Sequence, residues 1–211
     1  MRIYYMDSDL LLEDALYHRL LQRCSAARRE KLETIQTAAG KRNSLAAAVL
    51  LDLALQTRGI REQNVKYEYG ETGKPSVCGI PGFHFSISHS GSGVICAVSD
   101  QPVGADLQES RPVSERLQHR MFTERERLLA DPIRLWTLKE SYAKLTGEGI
   151  SVMERTEIFL EKEPVIRRED VPQPVFFWEK SLRNGSRAAT CGYENPSYSI
   201  EMIEVNRSDL I

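Results

Sequence analysis

Apolar and polar residues alternate from position 83 to position 88, which is the pattern of a strand with one buried face. The next residues, Ser-Gly-Ser-Gly at 90–93, suit a tight reversal, and the apolar run 94–98 is the expected return strand. After a second turn at 100–102, a third short strand is predicted at Val103–Gln108. The remaining elements are interpreted around this three-strand unit.

The predicted third strand carries an acid and an amide on one side. Because side chains at i and i+2 of a strand point the same way, Asp106 and Gln108 share a face and Leu107 takes the other. Two such oxygen-bearing groups can share Mg²⁺, although an ordinary solvated strand face is the alternative. The nearby Ser88 and His89 favour a phosphate site, because a hydroxyl, an imidazole and glycine-rich backbone N–H groups suit phosphate oxygens. A turn residue bonded to backbone is the alternative for His89.

Before this unit the pattern predicts a strand and two well-defined helices. They are a strand at residues 2–6, a helix at 10–21 and a buried, Ala- and Leu-rich helix at 45–55. Between the helices, Arg28 and Lys31 share one face of a charged helical stretch. A solvated surface is the alternative interpretation of that stretch.

Two basic segments of this first part are candidate anion contacts. Residues 41–44, which include Arg42 and Ser44, precede the Ala-rich helix, and the free N–H groups of a helix N-terminus favour negative charge. Lys74 lies in the turn Thr-Gly-Lys-Pro at 72–75, and the extended approach that Pro75 imposes places it on an exposed loop.

The most regular helix is predicted at residues 133–145. Asp131 can cap it, Pro132 fits its first turn, and Gly147 lies just past its end. One face is an apolar stripe that packs against the core. It consists of Leu135, Leu138, Tyr142 and Leu145.

A second face of the same helix repeats a different set every four residues: Trp136, Glu140 and Lys144. The simple interpretation is an i, i+4 ion pair that contributes about 0.2 to 0.5 kcal/mol. The alternative is that Glu140 adds a carboxylate to Asp106 and Gln108 and completes a cation site between strand and helix. Further strands are expected at 156–160, 175–178, 188–193 and 198–205, without a catalytic cluster.

Composition narrows the class of protein. A chain of 211 residues with 41% apolar content can bury a sizeable core, and a net charge of −2 argues against a nucleic-acid binder that relies on a basic surface. The four cysteines form no CxxC motif, no signal-peptide pattern opens the chain, and no apolar run reaches the ~20 residues that span a bilayer. We expect a cytoplasmic protein without a membrane partner.

Three separated motifs together resemble one family. Residues 85–91 (FSISHSG), 103–108 (VGADLQ) and 136–144 (WTLKESYAK) resemble, in order and separation, the signature motifs of 4′-phosphopantetheinyl transferases of the surfactin-synthetase-activating type. Residues 72–75 (TGKP) resemble the GKP turn of that family. The similarity extends faintly from Arg2 to about Tyr193, and the agreement of several motifs makes it specific.

The resemblance implies an α+β monomer of two similar subdomains, residues 1–105 and 106–211, related by a pseudo-twofold axis. Coenzyme A would lie in the cleft between them, with Mg²⁺, or Mn²⁺ in its place, on the pyrophosphate. Such an enzyme transfers phosphopantetheine from coenzyme A to a serine of an acyl or peptidyl carrier protein and releases 3′,5′-ADP.

The resemblance also assigns roles to residues. The metal ligands would be Asp106, Gln108 and Glu140, and the phosphates of coenzyme A would contact Lys74, Ser88, His89 and Lys144. The 3′-phosphate contacts of the family fall in the region of Arg28, Lys31, Arg42 and Ser44. The catalytic groups would be Glu140, Lys144 and His89, with Glu140 as the base that accepts the serine proton, preferably through a water.

One departure and two alternatives remain. Many members of the family have Glu where this chain has Gln108, so the cation site has one negative charge fewer. A protein of the same fold that binds coenzyme A or a carrier without transfer is the main alternative function. An unrelated Mg²⁺-dependent phosphotransferase is a weaker one, and the chain lacks the GxxxxGK[ST] loop of the commonest nucleotide-binding version.

Overall fold

A computed structural model describes residues 1–160, 162–195 and 200–211 of the chain, and its mixture of helices and strands confirms the α+β class. The helices are α1 (Asp14–Gln22), α2 (Ala26–Thr34), α3 (Ala38–Gln56), α4 (Glu115–Met121), α5 (Glu124–Leu129) and α6 (Pro132–Thr146). The strands are β1 (Arg2–Asp7), β2 (Tyr67–Tyr69), β3 (Pro75–Val77), β4 (His84–Ser90), β5 (Gly93–Ser99), β6 (Val103–Gln108), β7 (Thr156–Leu160), β8 (Pro164–Arg168), β9 (Val171–Pro172), β10 (Phe176–Ser181), β11 (Arg187–Gly192) and β12 (Glu201–Glu204).

The first core is built on α3 and a sheet of strand order β12-β1-β5-β4. The helix is buried over most of its length because its Ala and Leu residues combine high helix propensity with small or apolar side chains. Leu45, Leu50 and Leu55, all 0% exposed, belong to the same cluster as Phe85 of β4 and Val94 of β5. The predicted hairpin is confirmed: β4 and β5 are antiparallel, and Ser90 pairs with Gly93 across the turn.

The second core lies between α6 and the sheet β10-β11-β6. The helix begins and ends as the sequence predicts: the Asp131 side chain accepts the N–H of Ile133, and Gly147 closes the helix at φ 74°. The predicted apolar stripe is buried. A separate sheet, β7-β8-β9, packs beside this core and includes a β8–β9 hairpin that the sequence pattern did not predict.

A third cluster joins the two sheets. Ile3 of β1, Ile95 of β5 and Leu107 of β6 are fully buried in it. The division into two similar halves stays a prediction, and the expected boundary between residues 105 and 106 falls inside β6. Moreover, β12 comes from the end of the chain and pairs in parallel with β1. Among the described residues, no helix has the length and apolar character to cross a membrane.

Three expectations about element boundaries need correction. The helix predicted at 10–21 consists of a short 3₁₀ turn, Ser8–Leu12, followed by α1. The helix predicted from Leu45 begins at Ala38, because Thr37 supplies the cap by accepting the N–H of Gly40 at 3.1 Å. The strand predicted at 198–205 is observed as β12, while positions 198 and 199 lie outside the described residues.

The close approach of α6 to β6 depends on Gly104. A Cβ atom at this position would lie 1.9 Å from the carbonyl oxygen of Ser141 and 2.4 Å from the backbone nitrogen of Leu145. Both atoms belong to the helix backbone, so no side-chain rotation could relieve the contact. Glycine therefore sets the distance at which α6 packs on the second sheet.

We predict that Gly104→Ala lowers the free energy of unfolding by about 1 to 3 kcal/mol, the usual cost of overpacking a core, because α6 must move away from β6. Urea denaturation monitored by circular dichroism measures this. Gly70→Ala is the matched control, since a Cβ there meets only the Lys74 carbonyl oxygen at an ordinary 3.7 Å. Equal effects of the two substitutions would contradict this role of Gly104.

Candidate active site

The carboxylate of Asp106 lies at the centre of the candidate site and is 0% exposed. Its Oδ1 accepts the hydroxyl of Ser88 at 2.7 Å and the ammonium of Lys144 at 2.8 Å. Its Oδ2 accepts the side-chain amide of Gln108 at 3.0 Å. The acid on the third strand is therefore buried and fully hydrogen-bonded, and not part of a solvated strand face.

Glu140 of α6 meets Asp106 through Gln108. The Gln108 amide nitrogen donates to Glu140 Oε2 at 3.3 Å as well as to Asp106, and the Lys144 ammonium lies 3.5 Å from Glu140 Oε1. The indole N–H of Trp136 also donates to Glu140 Oε2. The structure thus brings together the acid and amide of β6 with the second face of α6, and the two carboxylates converge on one amide.

The charge state of this cluster reflects its burial. The pKa of Asp106 is raised to about 6, chiefly by loss of solvation and in smaller part by the negative charge of Glu140, although the Lys144 ammonium and the Ser88 hydroxyl act in the opposite direction. A positive charge between the two carboxylates therefore stabilises the ionised site. Lys144 supplies that charge here, from a side chain that is 27% exposed.

Serine hydroxyls hold the site strand β6 against β4. Ser86 Oγ accepts the N–H of Ala105 at 2.9 Å, and Ser90 Oγ accepts the N–H of Glu109 at 3.0 Å. Ser88, between them, donates to Asp106. Alternation predicts one buried face for β4, but Ser86 and Ser88 on its polar face are buried as well, because Ser86 accepts a backbone N–H of β6 and Ser88 donates to the Asp106 carboxylate.

His89 is exposed at the end of β4 and is close to two cations. Partial desolvation lowers its pKa, and the positive charges of Lys144 and Lys31 lower it further. Desolvation and the nearby Arg28 likewise lower the pKa of Lys31. The charges of Lys144 and Lys31 thus both act on His89, and the charge of Arg28 acts on Lys31; we call these four basic residues the cationic strip.

The remaining predicted phosphate contacts, Arg42 and Ser44, lie on α3. The Arg42 guanidinium lies 3.3 Å from Asp9, and the Ser44 hydroxyl is buried without a hydrogen-bond partner among the described residues. They do not sit at a helix N-terminus: the helix starts at Ala38, and the Lys41 N–H already donates to Thr37 at 3.0 Å. The prediction of a helix N-terminal anion site at 41–44 is therefore wrong.

The sequence predicted that Lys74 lies on an exposed loop, and this prediction is wrong. Its ammonium donates to the carbonyl oxygens of Val103 at 3.2 Å and Leu145 at 3.3 Å, which belong to β6 and α6. The Thr72 hydroxyl donates to the Gly147 carbonyl at 2.6 Å. Burial lowers the pKa of Lys74. The 72–75 turn thus caps the C-terminal end of α6, where a cation complements the helix dipole.

A cavity of about 360 Å³ opens beside the cluster. Its polar edge includes Lys74, Glu140 and Lys144, and its wall is mainly apolar. The apolar residues include Phe85, Ile87, Trp136, Ala143, Ile150 and Met153. A site with charged groups at one end and apolar walls fits a ligand with an anionic head and a less polar arm.

Sequence reasoning missed a buried ion pair beneath the site. Lys139 is 1% exposed and donates to Glu126 at 2.9 Å and to the carbonyl oxygens of Met121, Met153 and Thr156. The signal was its position, since Lys139 falls among the residues of the apolar stripe. Glu126 also accepts the N–H groups of Thr123 and Ile158, so the pair joins α5, α6 and β7.

The donor set suits a divalent cation by its chemistry. Carboxylate and amide oxygens are the ligands that Mg²⁺ prefers, and the carboxylates of Asp106 and Glu140 both contact the side-chain amide of Gln108. In the described part of the chain, no group of three or more His, Cys, Asp or Glu side chains stands together as a metal site. A cation site here would consequently need the Gln108 amide as its third protein group.

Comparison with known proteins identifies the family. A family model of the 4′-phosphopantetheinyl transferase superfamily matches residues 102–191, the part that carries β6 and α6. The 4′-phosphopantetheinyl transferase Sfp of Bacillus subtilis (strain 168) is 28% identical over the whole of both chains. The 4′-phosphopantetheinyl transferase ffp of Bacillus subtilis is 32% identical over 72% of this chain and 73% of its own. The chain belongs to the 4′-phosphopantetheinyl transferase superfamily.

We predict that Lys139→Met lowers the free energy of unfolding by about 3 to 5 kcal/mol, because it leaves the Glu126 carboxylate buried without its cation. Chemical denaturation measures the loss. Lys180→Met, on the exposed side of β10, is the control and should change stability by less than about 0.5 kcal/mol. A Lys139→Met protein as stable as this control would show that the buried pair is dispensable.

Proposed function

We propose that this protein transfers the 4′-phosphopantetheine group of coenzyme A to a serine of an acyl or peptidyl carrier protein and releases adenosine 3′,5′-bisphosphate. The observation that carries the proposal is the convergence of Asp106, Gln108 and Glu140 beside Lys144, in a chain that belongs to this superfamily. A protein that only bound coenzyme A would not need two carboxylates brought together next to its phosphates.

The cationic strip supplies the binding surface for coenzyme A. Ser88 and Lys144 bond to the Asp106 carboxylate, and His89 follows Ser88 on β4. All three would contact the diphosphate, whose oxygens accept hydrogen bonds and attract positive charge. Lys31 and Arg28 continue the strip on α2 and would contact the separate 3′-phosphate. Arg42 and Ser44 on α3, and Lys74, which lines the cavity, complete the proposed phosphate contacts.

Asp106, Gln108 and Glu140 would hold Mg²⁺, or Mn²⁺ in its place. When bound, the ion supplies positive charge to the diphosphate oxygens. Gln108 presents its amide nitrogen to both carboxylates, and a half-turn of the amide group would present its oxygen instead. Because a neutral amide replaces a third carboxylate, the chain relies on two negative charges for the cation.

The reaction requires one proton transfer and one displacement at phosphorus. The serine oxygen of the carrier forms a bond to phosphorus, the bond between phosphorus and the bridging diphosphate oxygen breaks, and 3′,5′-ADP leaves. Glu140 is the proposed base for the serine proton, through a water, because it is 28% exposed whereas Asp106 is buried. Lys144 and His89 would stabilise the negative charge on the leaving group. The monomeric state and the cytoplasmic location stay predictions.

The test is a transfer assay with Glu140→Gln. We expect kcat to fall about 100-fold or more, because the amide can neither accept the proton nor carry the charge. Mass spectrometry of an apo carrier protein, incubated with coenzyme A and Mg²⁺, measures the phosphopantetheine increment. Glu148→Gln, just beyond α6, is the control and should transfer normally. Without any increment from the unaltered protein, the binding-module alternative replaces the enzyme.

A second prediction concerns Gln108→Glu. Without Mg²⁺ the extra carboxylate should lower the melting temperature, because it repels Asp106 and Glu140 in place of donating to them. With Mg²⁺ the variant should show a larger rise in melting temperature than the unaltered protein, since tighter binding to the folded state stabilises it.

Gln56→Glu is the matched control for this thermal titration. Gln56 also donates to a carboxylate, Asp52, but on the outer part of α3. Its substitution should leave the Mg²⁺-dependent rise unchanged. Equal Mg²⁺ responses of Gln108→Glu and the unaltered protein would contradict a cation site at Gln108.

A further inference from the structure

Glu62 is a buried acid that the proposed reaction does not use. It is 0% exposed, and its carboxylate bonds to residues at the start of α2 and at the start of β2. One carboxylate oxygen accepts the N–H of Ser25 at 2.8 Å, and the other accepts the hydroxyls of Ser25 at 3.0 Å and Tyr67 at 2.6 Å. The guanidinium of Arg28 lies 3.8 Å from the same carboxylate.

These contacts determine how α2 begins. A carboxylate only accepts hydrogen bonds, so the Ser25 hydroxyl must point its hydrogen at Glu62. The oxygen of Ser25 is then free to accept the N–H of Arg28 at 3.2 Å, which caps the helix. Glu62 therefore holds both the backbone and the cap of the turn that carries Arg28.

The side chain of Arg28 is held by the same group. Its charge pairs with Glu62, and its guanidinium stands over the ring of Tyr67, 5.7 Å from the centroid. The Arg28 side chain is only 11% exposed. An arginine so enclosed has few alternative rotamers, and the donors that do not face Glu62 keep a fixed direction.

Glu62 is itself fixed from α3. The carboxylate of Asp52 accepts the backbone N–H of Glu62 at 2.8 Å and pairs with Arg61 at 2.9 Å. The first core therefore positions Glu62, and Glu62 positions Arg28. A residue needed only to fill space at this point would not require a charge, because an isolated buried carboxylate is costly.

We propose that Glu62 is a positioning residue that orients Arg28 toward the 3′-phosphate of coenzyme A. Glu62 thereby sets the preference for coenzyme A over 3′-dephospho-coenzyme A, which lacks that phosphate. This inference rests on the proposed function. Arg28 precedes Lys31 by one turn of α2, and Lys31 is the α2 residue whose charge acts on His89. 3′-Dephospho-coenzyme A has the diphosphate but no 3′-phosphate, so it would contact His89 and Lys144 without needing Arg28.

The experiment compares coenzyme A with 3′-dephospho-coenzyme A for the unaltered protein and Glu62→Gln. We expect the variant to raise KM for coenzyme A roughly tenfold, the lower end of what loss of an orienting partner costs, with kcat changed less than about twofold. The KM for 3′-dephospho-coenzyme A should stay within about twofold. Dissociation constants from calorimetry should follow the same pattern, with a roughly tenfold rise for coenzyme A and a change within about twofold for 3′-dephospho-coenzyme A.

A coupling experiment separates positioning from general destabilisation. In the Arg28→Ala background, Glu62→Gln should alter the preference between the two donors by less than about twofold, because the residue it acts through is absent. Leu50→Ala, in the same core, should lower the melting temperature without changing that preference. If Glu62→Gln weakens both donors equally, or still shifts the preference without Arg28, the positioning role is wrong.

The outcomes also separate this inference from the proposed function. If coenzyme A binds but no apo carrier protein is modified, the proposed reaction is wrong. The ratio of the dissociation constants of coenzyme A and 3′-dephospho-coenzyme A would still decide the role of Glu62. Normal transfer with an unchanged ratio in Glu62→Gln would end only the positioning role. An unaltered protein that does not bind coenzyme A would overturn both.

Discussion

The site depends on the burial of one carboxylate, that of Asp106. A charged group removed from water is tolerated only when other groups replace the solvent, and here a hydroxyl, an amide and an ammonium do so from three separate segments. The ammonium comes from α6 and the hydroxyl from β4. The need to satisfy this acid therefore joins the strand unit to the helix and defines the place where a substrate phosphate can meet both.

Three buried acids repeat this principle for different purposes. Asp106 unites β4, β6 and α6, Glu62 unites α2 with the start of β2, and Glu126 unites α5, α6 and β7. Each accepts hydrogen bonds on both oxygens, so none is an uncompensated charge. These acids are three of the 30 in the chain, so burial removes little of the acidic surface and serves instead to join neighbouring elements.

Much of the fold could be predicted because its signals are local. The hairpin, β6 and α6 follow from alternation, from turn residues and from the caps Asp131 and Gly147, all within a few positions of the element they define. The face of α6 with Glu140 and Lys144 could likewise be predicted. The start of α3 could not, because the Thr37 cap competes with the more conspicuous basic segment that follows it.

The sequence by itself determined which residue types share a strand or helix face, because that depends only on the periods of 2 and 3.6. Tertiary structure alone decided which polar groups are buried: Lys74 between two carbonyls, Lys139 within the apolar stripe, and Glu62 beneath Arg28. Glu126, the ion-pair partner of Lys139, is 13 positions away along the chain, and the Leu145 carbonyl bound by Lys74 is 71 positions away. Burial of a polar group is decided by the partners that packing brings to it, and no local pattern records those partners.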